Sequence, residues 1–261
     1  MMNVFLANYE KHIFFPKRNI YACIIPVLNE AERFHSQMRK MKEANIFELC
    51  DVFICDGNSI DDSSNPEIVK SYGARGLIIK KDEKKQGQAV QLKIGFYETM
   101  KEKYHGVIMV DGNDKDNITD TLALFLDALS QGFDLVQGTR YRKGGYGINT
   151  PILRELAIKF VASPMVSLGA KRWYSDPCNG YKAFSRRFIL DPKMNWFSDF
   201  YQSYEYCYYP LVQAKHLGYK IIEIPTVRAY PKDSVPSKIT SLSHHLNLLR
   251  LIFLLSFSKK V

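Results

Sequence analysis

Two segments of this chain place a carboxylate and a glycine directly after an apolar run: Ile54-Cys55-Asp56-Gly57 and Met109-Val110-Asp111-Gly112. Asp-Gly is ordinary turn chemistry taken singly. Two equivalent turns are more informative, because open α/β sheets bind ligands outside the carboxyl ends of their strands. A glycine beside each acid lets the carboxylate face such a crevice without side-chain crowding. In 55–63 (CDGNSIDDS) Asp56 is placed to accept a hydrogen bond from a nucleobase imide or a ribose hydroxyl. Pro26 and Glu30 follow an earlier apolar run and face the same crevice. In 111–116 (DGNDKD) Asp111, Asn113, Asp114 and Asp116 offer oxygen ligands within one short loop. Hard divalent cations such as Mg2+ or Mn2+ take oxygen ligands and bridge diphosphates. An EF-hand loop needs a later Glu and flanking helices, which are missing. Lys84 and Lys85, before Gly87, add positive charge near such phosphates or belong to a solvated loop.

The elements around these turns set their positions. Residues 20–27 (IYACIIPV), 51–57, 76–80 (GLIIK), 106–112 and 133–139 read as strands. Between them lie helices at 30–44, with Phe34, Met38 and Met41 at helical spacing, at 66–72, near Val90, Ile94 and Tyr97, and at 119–129. Short apolar strands alternating with helices of this length predict βαβ units around a parallel sheet covered on both faces. The fold class is therefore α/β, with a Rossmann-like, mostly parallel central sheet flanked by helices. The second half is less regular. Thr150-Pro151 reads as an N-cap and first-turn proline opening a long helix to about residue 169. A loop and strand at 175–185, an aromatic-rich stretch at 196–211, a strand at 219–227 and an apolar C-terminal helix follow. No linker or repeat interrupts the chain. The expectation is one domain, with a nucleotide-binding half to about 140, an acceptor-binding half at 141–240 and an amphipathic helix at 240–258.

Composition bounds the partners. The chain has 261 residues, 46% hydrophobic and 24% charged, enough for a sizeable core. Its 36 Lys+Arg against 27 Asp+Glu give a formal charge of +9, which favours anionic partners or reflects a basic solvated surface. The five cysteines show no CxxC spacing, so neither a zinc site nor a disulfide framework is expected, and a reducing, cytoplasmic setting is. The N-terminus lacks the apolar core of a signal peptide. The longest apolar run, 246–257 (LNLLRLIFLLSF), is broken by Arg250 and too short to span a bilayer. With His244, His245, Asn247 and Arg250 it fits a helix packed on the core, a homodimer contact, or a peripheral helix at the inner face of a membrane. Neither GxGxxG nor GxxxxGK[ST] occurs, which counts against NAD dehydrogenases and P-loop kinases.

The ordered series IPVLNE, CDGNSIDD, QGQA, MVDGND, QGTRYRKGG, SDPCNGYKAFSRR and EIPTVRAYP…SKI resembles the family 2 glycosyltransferases of GT-A fold, and within them the dolichol-phosphate mannose synthase-like branch. The resemblance covers about residues 20–240. It implies an inverting transfer of a sugar from a nucleotide-sugar donor to a saccharide or lipid-phosphate acceptor, in surface polysaccharide or lipid-linked glycan synthesis. Pro26 and Glu30 then line the nucleoside pocket, Asp56 contacts the base, and Asp111 is the first acid of a DxD-type metal motif. Arg140, Arg142, Arg228 and Lys238 resemble positions that handle phosphate groups of donor or acceptor. Asp176 borders the acceptor site and is the first choice of general base, with Glu205 the second. Two departures from the family pattern stand out. Asn113 replaces the second acid of Asp-x-Asp, contributing an oxygen but no charge, unless Asp114 supplies it. The lipid-phosphate branch often carries transmembrane helices after its catalytic domain, and none is legible here.

In such a reaction the developing charge lies on the leaving β-phosphate, where a metal and basic residues stabilise it. A hydroxyl acceptor needs a base, whereas a phosphate acceptor is already anionic and needs positioning. Two other readings remain. A nucleotidyltransferase lacks its glycine-rich opening here. A non-catalytic basic module fits the charge and the 16 tyrosines, but the cations are dispersed without a nucleic-acid-binding pattern, so no nucleic acid is expected.

Overall fold

The computed structural model describes residues 7–81, 87–232 and 242–257. Lys84, Lys85 and Lys238 lie outside the described residues. Strands β1 (Tyr9–Ile13), β2 (Tyr21–Val27), β3 (Asp51–Asp56), β4 (Gly76–Lys80), β5 (Gly106–Met109), β6 (Leu135–Thr139), β7 (Tyr146–Ile148), β8 (Lys182–Ser185), β9 (Ile221–Pro225) and β10 (Val227–Ala229) form two sheets. The large sheet has the order β1-β4-β3-β2-β5-β8-β6-β9, and β10 pairs with β7 in parallel. Helices α1 (Glu32–Glu43), α2 (Ile46–Leu49), α3 (Pro66–Tyr72), α4 (Gln88–Lys101) and α5 (Ile118–Ser130) belong to the first half. Helices α6 (Ile152–Ala157), α7 (Ser163–Ala170), α8 (Arg186–Ile189), α9 (Glu205–His216) and α10 (Leu242–Phe257) belong to the second.

The expected α/β class is found, and its strands show why continuous apolar runs were needed. In β2, Ala22 and Ile24 enter one core with α4, while Cys23, Ile25 and Val27 enter a second core with α1 and α5. In β3, Phe53 and Cys55 face the first core, and Val52 and Ile54 the second. Side chains alternate between faces as in any strand, but both faces are dry. Pro26 sits near the end of β2, beyond the stretch paired with β5, which stops at Ile24↔Met109. Its missing N–H therefore breaks no rung on that side.

Two strands depart from the parallel pattern. β1 pairs antiparallel with β4 at the sheet edge, and its charged residues escaped the apolar-run reading. Such charges suit an edge, where they discourage further pairing. β8, from the second half, runs antiparallel between β5 and β6. The expected helix from 150 to 169 also differs. Pro151 (φ −57°, ψ 129°) occupies the N-cap position, not the first turn, and makes no side-chain cap. The Thr150 hydroxyl is buried without a hydrogen-bond partner and packs over Gly147, where an added Cβ would come within 2.3 Å of it. The helix then runs through a π-helical segment, Ile158–Ala162, before α7.

The second half fills its core with aromatic side chains. Trp196 meets Phe96, Phe184 and Phe188 edge-on at centroid distances of 5.1, 5.0 and 5.7 Å, and Tyr201 stacks on Tyr206 at 4.2 Å. Edge-to-face geometry matches the ring quadrupoles. No helix among the described residues is long and apolar enough to cross a membrane.

Gly95 fixes the approach of α4 to the sheet, since an added Cβ would stand 2.7 Å from Cys55 Sγ and 3.2 Å from Ile24 Cγ2. Gly95→Leu is expected to destabilise the protein by about 1–3 kcal/mol through overpacking. Urea unfolding measures it, and an unchanged midpoint would contradict this packing.

Candidate functional site

The carboxyl ends of β2, β3, β5 and β6 share one edge of the sheet, because β8 is antiparallel to both β5 and β6. At that edge Gln91 of α4 donates from Nε2 to the carbonyls of Val27 (2.5 Å) and Cys55 (3.0 Å). A Cβ on Gly57 would lie 2.7 Å from the same Nε2. The glycine of the first turn is thus required by a side chain that ties two strand ends together.

Asp56 is buried, and both its oxygens are engaged. Oδ1 accepts from the backbone N–H groups of Asn58 (2.8 Å) and Ser59 (2.7 Å), and Oδ2 from the Ser59 hydroxyl (2.6 Å). Burial pushes its carboxyl above the usual range, against the pull of the Ser59 and Asn58 bonds. Asp56 therefore shapes the loop after β3. That loop is laced to the one after β2: Asn29 accepts from the Ile60 N–H (2.9 Å), and Asp61 from the Ala31 N–H (2.9 Å). Ala31 adopts φ 46°, a costly conformation for a non-glycine residue. Glu30 accepts from Arg33 on α1 (2.7 Å).

The second turn is a charged cluster. Asp111 accepts from Gln88 Nε2 on one oxygen (3.1 Å) and from the Arg228 guanidinium on the other (2.9 Å). The second arm of Arg228 donates to Asp116, whose other oxygen is buried without a partner. Arg228 thus bridges two carboxylates five residues apart in sequence. Burial alone would raise Asp111; the charge and hydrogen bond of Arg228, with Gln88 and the charge of Lys115, outweigh it and hold the carboxyl below its ordinary value. Gly180 closes over this acid, for a Cβ there would stand 3.2 Å from Asp111 Oδ1.

Asn113 and Asp114 separate. Asn113 Oδ1 is buried with no hydrogen-bond partner. An orphaned carbonyl oxygen two residues along the chain from a carboxylate suits a divalent cation. Asp114 instead turns to α1, accepting from Ser36 Oγ and Lys40 Nζ, each at 2.6 Å. Its backbone at φ 57° aims the side chain there, and the Gln37 side chain accepts from its N–H (2.8 Å). The expectation that Asp114 supplies the missing acid does not match this placement. No group of three acidic, His or Cys side chains able to hold a metal occurs among the described residues. A cation here would depend on Asp111, Asn113 and oxygens of its own ligand.

Asp176 is also placed differently from an accessible base. It is fully buried and gripped by Arg140, from Nε at 2.7 Å and from Nη2 at 2.8 Å, with the Arg140 N–H adding a bond at 3.2 Å. The two residues occupy each other: Asp176 has no free oxygen, and Arg140 spends its fork on a carboxylate. Glu205 is buried at the start of α9 and accepts from the backbone N–H groups of Gln202 (3.0 Å) and Ser203 (2.5 Å). It pins the turn entering the helix. Arg142 reaches Glu223 (2.8 Å), whose other oxygen takes the Ser175 N–H and hydroxyl.

Several residues of the cluster were not singled out from the sequence. Tyr230 is buried among cations: Lys115 Nζ and the guanidinium carbons of Arg154 and Arg228 stand 5.5, 5.5 and 5.9 Å from its ring centroid, and Arg140 Nη1 is 3.5 Å from its hydroxyl. Burial would raise this phenol, but Arg228, Arg140 and Arg154 together hold it below its ordinary value. Gln88 lies in the QGQA segment, so its position was legible, whereas Arg154 sits in a helix that carries no motif. Beneath the cluster Gln137 donates to the carbonyls of Asp176 (3.0 Å) and Asn179 (3.1 Å), and Lys182 donates to that of Asn179. The five cysteines are free, and burial pushes the thiols of Cys178 and Cys207 up to about 11, so neither is a ready nucleophile.

No family model matches the sequence, and no curated protein matches it. Solved structures do. A crystal structure of Mycobacterium tuberculosis glucosyl-3-phosphoglycerate synthase aligns with TM-score 0.65 and 18% identity, over 91% of this chain and 79% of that one. The same enzyme in complex with Mn2+, UDP and phosphoglyceric acid aligns over 99% of this chain and 86% of that one, with TM-score 0.64 and 16% identity. Its complex with Mn2+, UDP and glucosyl-3-phosphoglycerate gives TM-score 0.64 and 17% identity, over 91% and 78%. At these identities the likeness establishes the fold, the GT-A type of α/β architecture that the motif order implied.

The Arg140–Asp176 pair has no solvent to fall back on. Asp176→Asn is expected to cost about 3–5 kcal/mol by leaving a buried guanidinium uncompensated, and Arg140→Met with Asp176→Leu to cost much less. Chemical denaturation of the three proteins checks this; a single variant as stable as the wild type would show the pair to be dispensable.

Proposed function

We propose that this protein is an inverting glycosyltransferase that moves a sugar from a nucleotide-diphosphate sugar to an acceptor bearing a phosphate or similar anion. The observation carrying the reading is the Asp111 turn: a strand-end carboxylate, an orphaned Asn113 oxygen two residues on, and Arg228 bridging Asp111 to Asp116. The loops after β2 and β3, laced through Asn29, Asp56 and Asp61, form the nucleoside side of the crevice, with Pro26 and Glu30 on its wall. Solved structures of this fold are complexes of a glucosyltransferase with Mn2+ and UDP, which supports a diphosphate at the equivalent place.

Asp111 and Asn113 are the residues that would hold a divalent metal, Mg2+ or Mn2+. Bound there, such an ion supplies positive charge to the leaving diphosphate. The protein's own share is electrostatic. Arg228 and Lys115 place fixed cations beside the turn, preorganised in a poorly hydrated setting where they act most strongly on developing charge. Asn113 brings no charge, so the arginine is the constant positive partner of Asp111.

The acceptor side is assigned from Tyr230. Lys115, Arg140, Arg154 and Arg228 surround it, with Asp111 and Asp116 paired to Arg228 and Asp176 to Arg140. A gathering of basic groups at that place suits an anionic acceptor. Complexes of the neighbouring enzyme hold phosphoglyceric acid or glycerol 3-phosphate, both phosphate-bearing. The engagement of Asp176 and Glu205 in structural bonds favours, as a second reading, an acceptor whose attacking oxygen is itself a phosphate oxygen. Such a nucleophile requires positioning and no general base. Polyprenol-phosphate glycosylation, the chemistry of the dolichol-phosphate mannose synthase-like branch, is of this kind.

A panel of UDP-, GDP- and dTDP-sugars screened by thermal shift with Mn2+ or Mg2+ tests the donor half. One donor is expected to raise Tm by an amount set by its affinity, and EDTA or Asp111→Ala to abolish the shift. Donor binding indifferent to both would remove the metal from the site. Arg228→Lys keeps a charge but loses the two-armed bridge. Its turnover is expected to fall about 100–1,000-fold, the scale of losing one preorganised donor to developing charge, with donor affinity changing far less; unimpaired turnover would refute the electrostatic role.

A further inference from the structure

The rod made by α6, the π-helical segment and α7 buries one face against the second-half core and leaves the other uncovered. Ile152, Leu153, Leu156, Phe160, Val161 and Leu168 are exposed, Leu153 at 78% and Phe160 at 72%. Leu153 and Leu156 lie three residues apart on α6, the spacing of one helix face, and Phe160 and Val161 are exposed on the π-helical segment that follows. Isolated exposed apolar side chains are normal; a run of them along one face is not. Helix α10 repeats the arrangement. Ile252 and Leu255 are buried, while Leu246, Phe253, Leu254 and Phe257 are exposed, with the rings of Phe253 and Phe257 5.1 Å apart. The two stripes converge where α10 crosses α7. A Cβ on Gly169 would stand 2.5 Å from the Ser256 carbonyl, and the chain neighbours of this contact, Leu168 and Phe257, are both exposed. Trp173, just past α7, is 55% exposed.

We infer that this face is a docking surface for an anionic lipid bilayer. Charge selects the occupant. Lys171 and Arg250 are exposed beside these apolar side chains, and Lys159 is paired with Glu155, the single acid of segments 152–173 and 246–257. Anionic headgroups complement Lys171 and Arg250 while the leucine and phenylalanine side chains enter the acyl boundary, the pattern of interfacial helices. Trp173 matches the interfacial preference of indole. The face also borders the acceptor side of the crevice, since Arg154 of α6 reaches the Tyr230 ring at 5.5 Å. The inference does not depend on glycosyl transfer, because lipid binding is read without donor or turnover.

The test uses the whole protein with vesicles of equal parts phosphatidylglycerol and phosphatidylcholine, and with phosphatidylcholine alone. Wild type is expected to sediment with the anionic vesicles only. The emission of Trp173 should shift to the blue on binding, against a constant background from Trp196, the other tryptophan, which is buried. Leu153→Glu with Phe160→Glu, and separately Phe253→Glu, should melt as wild type does and lose most of the bound fraction. Trp173→Phe should bind without the spectral shift. Failure of the wild type to sediment would overturn the proposal, as would variants that sediment normally. A wild-type dimer by light scattering that the same substitutions dissociate would assign the face to a second copy instead.

Discussion

Much of this structure depends on one backbone constraint, the antiparallel insertion of β8 between β5 and β6. Parallel strands deliver their carboxyl ends to one edge of the sheet; an antiparallel strand delivers its amino end there. The segment leading into β8, with Ser175, Asp176, Asn179 and Gly180, is thereby carried to the edge where β5 and β6 end. Gly180 can then close over Asp111, and Asp176 can meet Arg140 at the end of β6. Gln137 and Lys182, opposite each other in the β6–β8 register, hold the carbonyls of that segment from below. The same pairing joins the two halves of the chain through one continuous sheet.

Around that edge the charges are nearly matched by the protein itself. Arg140 answers Asp176, and Arg228 answers Asp111 and Asp116 together. Buried carboxylates left alone would be protonated or would destabilise the fold, so their arginines are structural partners first.

The strands and most helices of the first half were legible because their signal is local. Both faces of the sheet are dry, so β2, β3 and β5 are runs of mostly apolar residues, and the segments of β3 and β5 lead into Asp-Gly. The helix at 66–72 and the strand at 76–80 coincide with the elements found. β1 was not legible, since an edge strand carrying Glu10, Lys11 and His12 has no apolar run to show. The Thr150-Pro151 cap failed for a tertiary reason: the threonine hydroxyl packs over Gly147, and Pro151 keeps an extended ψ.

The candidate site divides in the same way. That Asp56 and Asp111 stand at strand ends with glycines beside them follows from the sequence alone, because strand termination and glycine's missing side chain are properties of neighbouring residues. Which carboxylate meets which arginine does not. Arg228 lies more than a hundred residues from Asp111, and Asp176 more than thirty from Arg140, so their pairing exists only once β8 and β10 are in place. Asp114 next to Asn113 in sequence turns to α1, and Tyr230 gathers cations from four separate segments. The sequence by itself determined the layer architecture and the sheet edge that carries the candidate site, because those rest on local patterning. The tertiary structure alone decided which acids are engaged and by which arginines, because electrostatic pairing depends on distance in space and not along the chain.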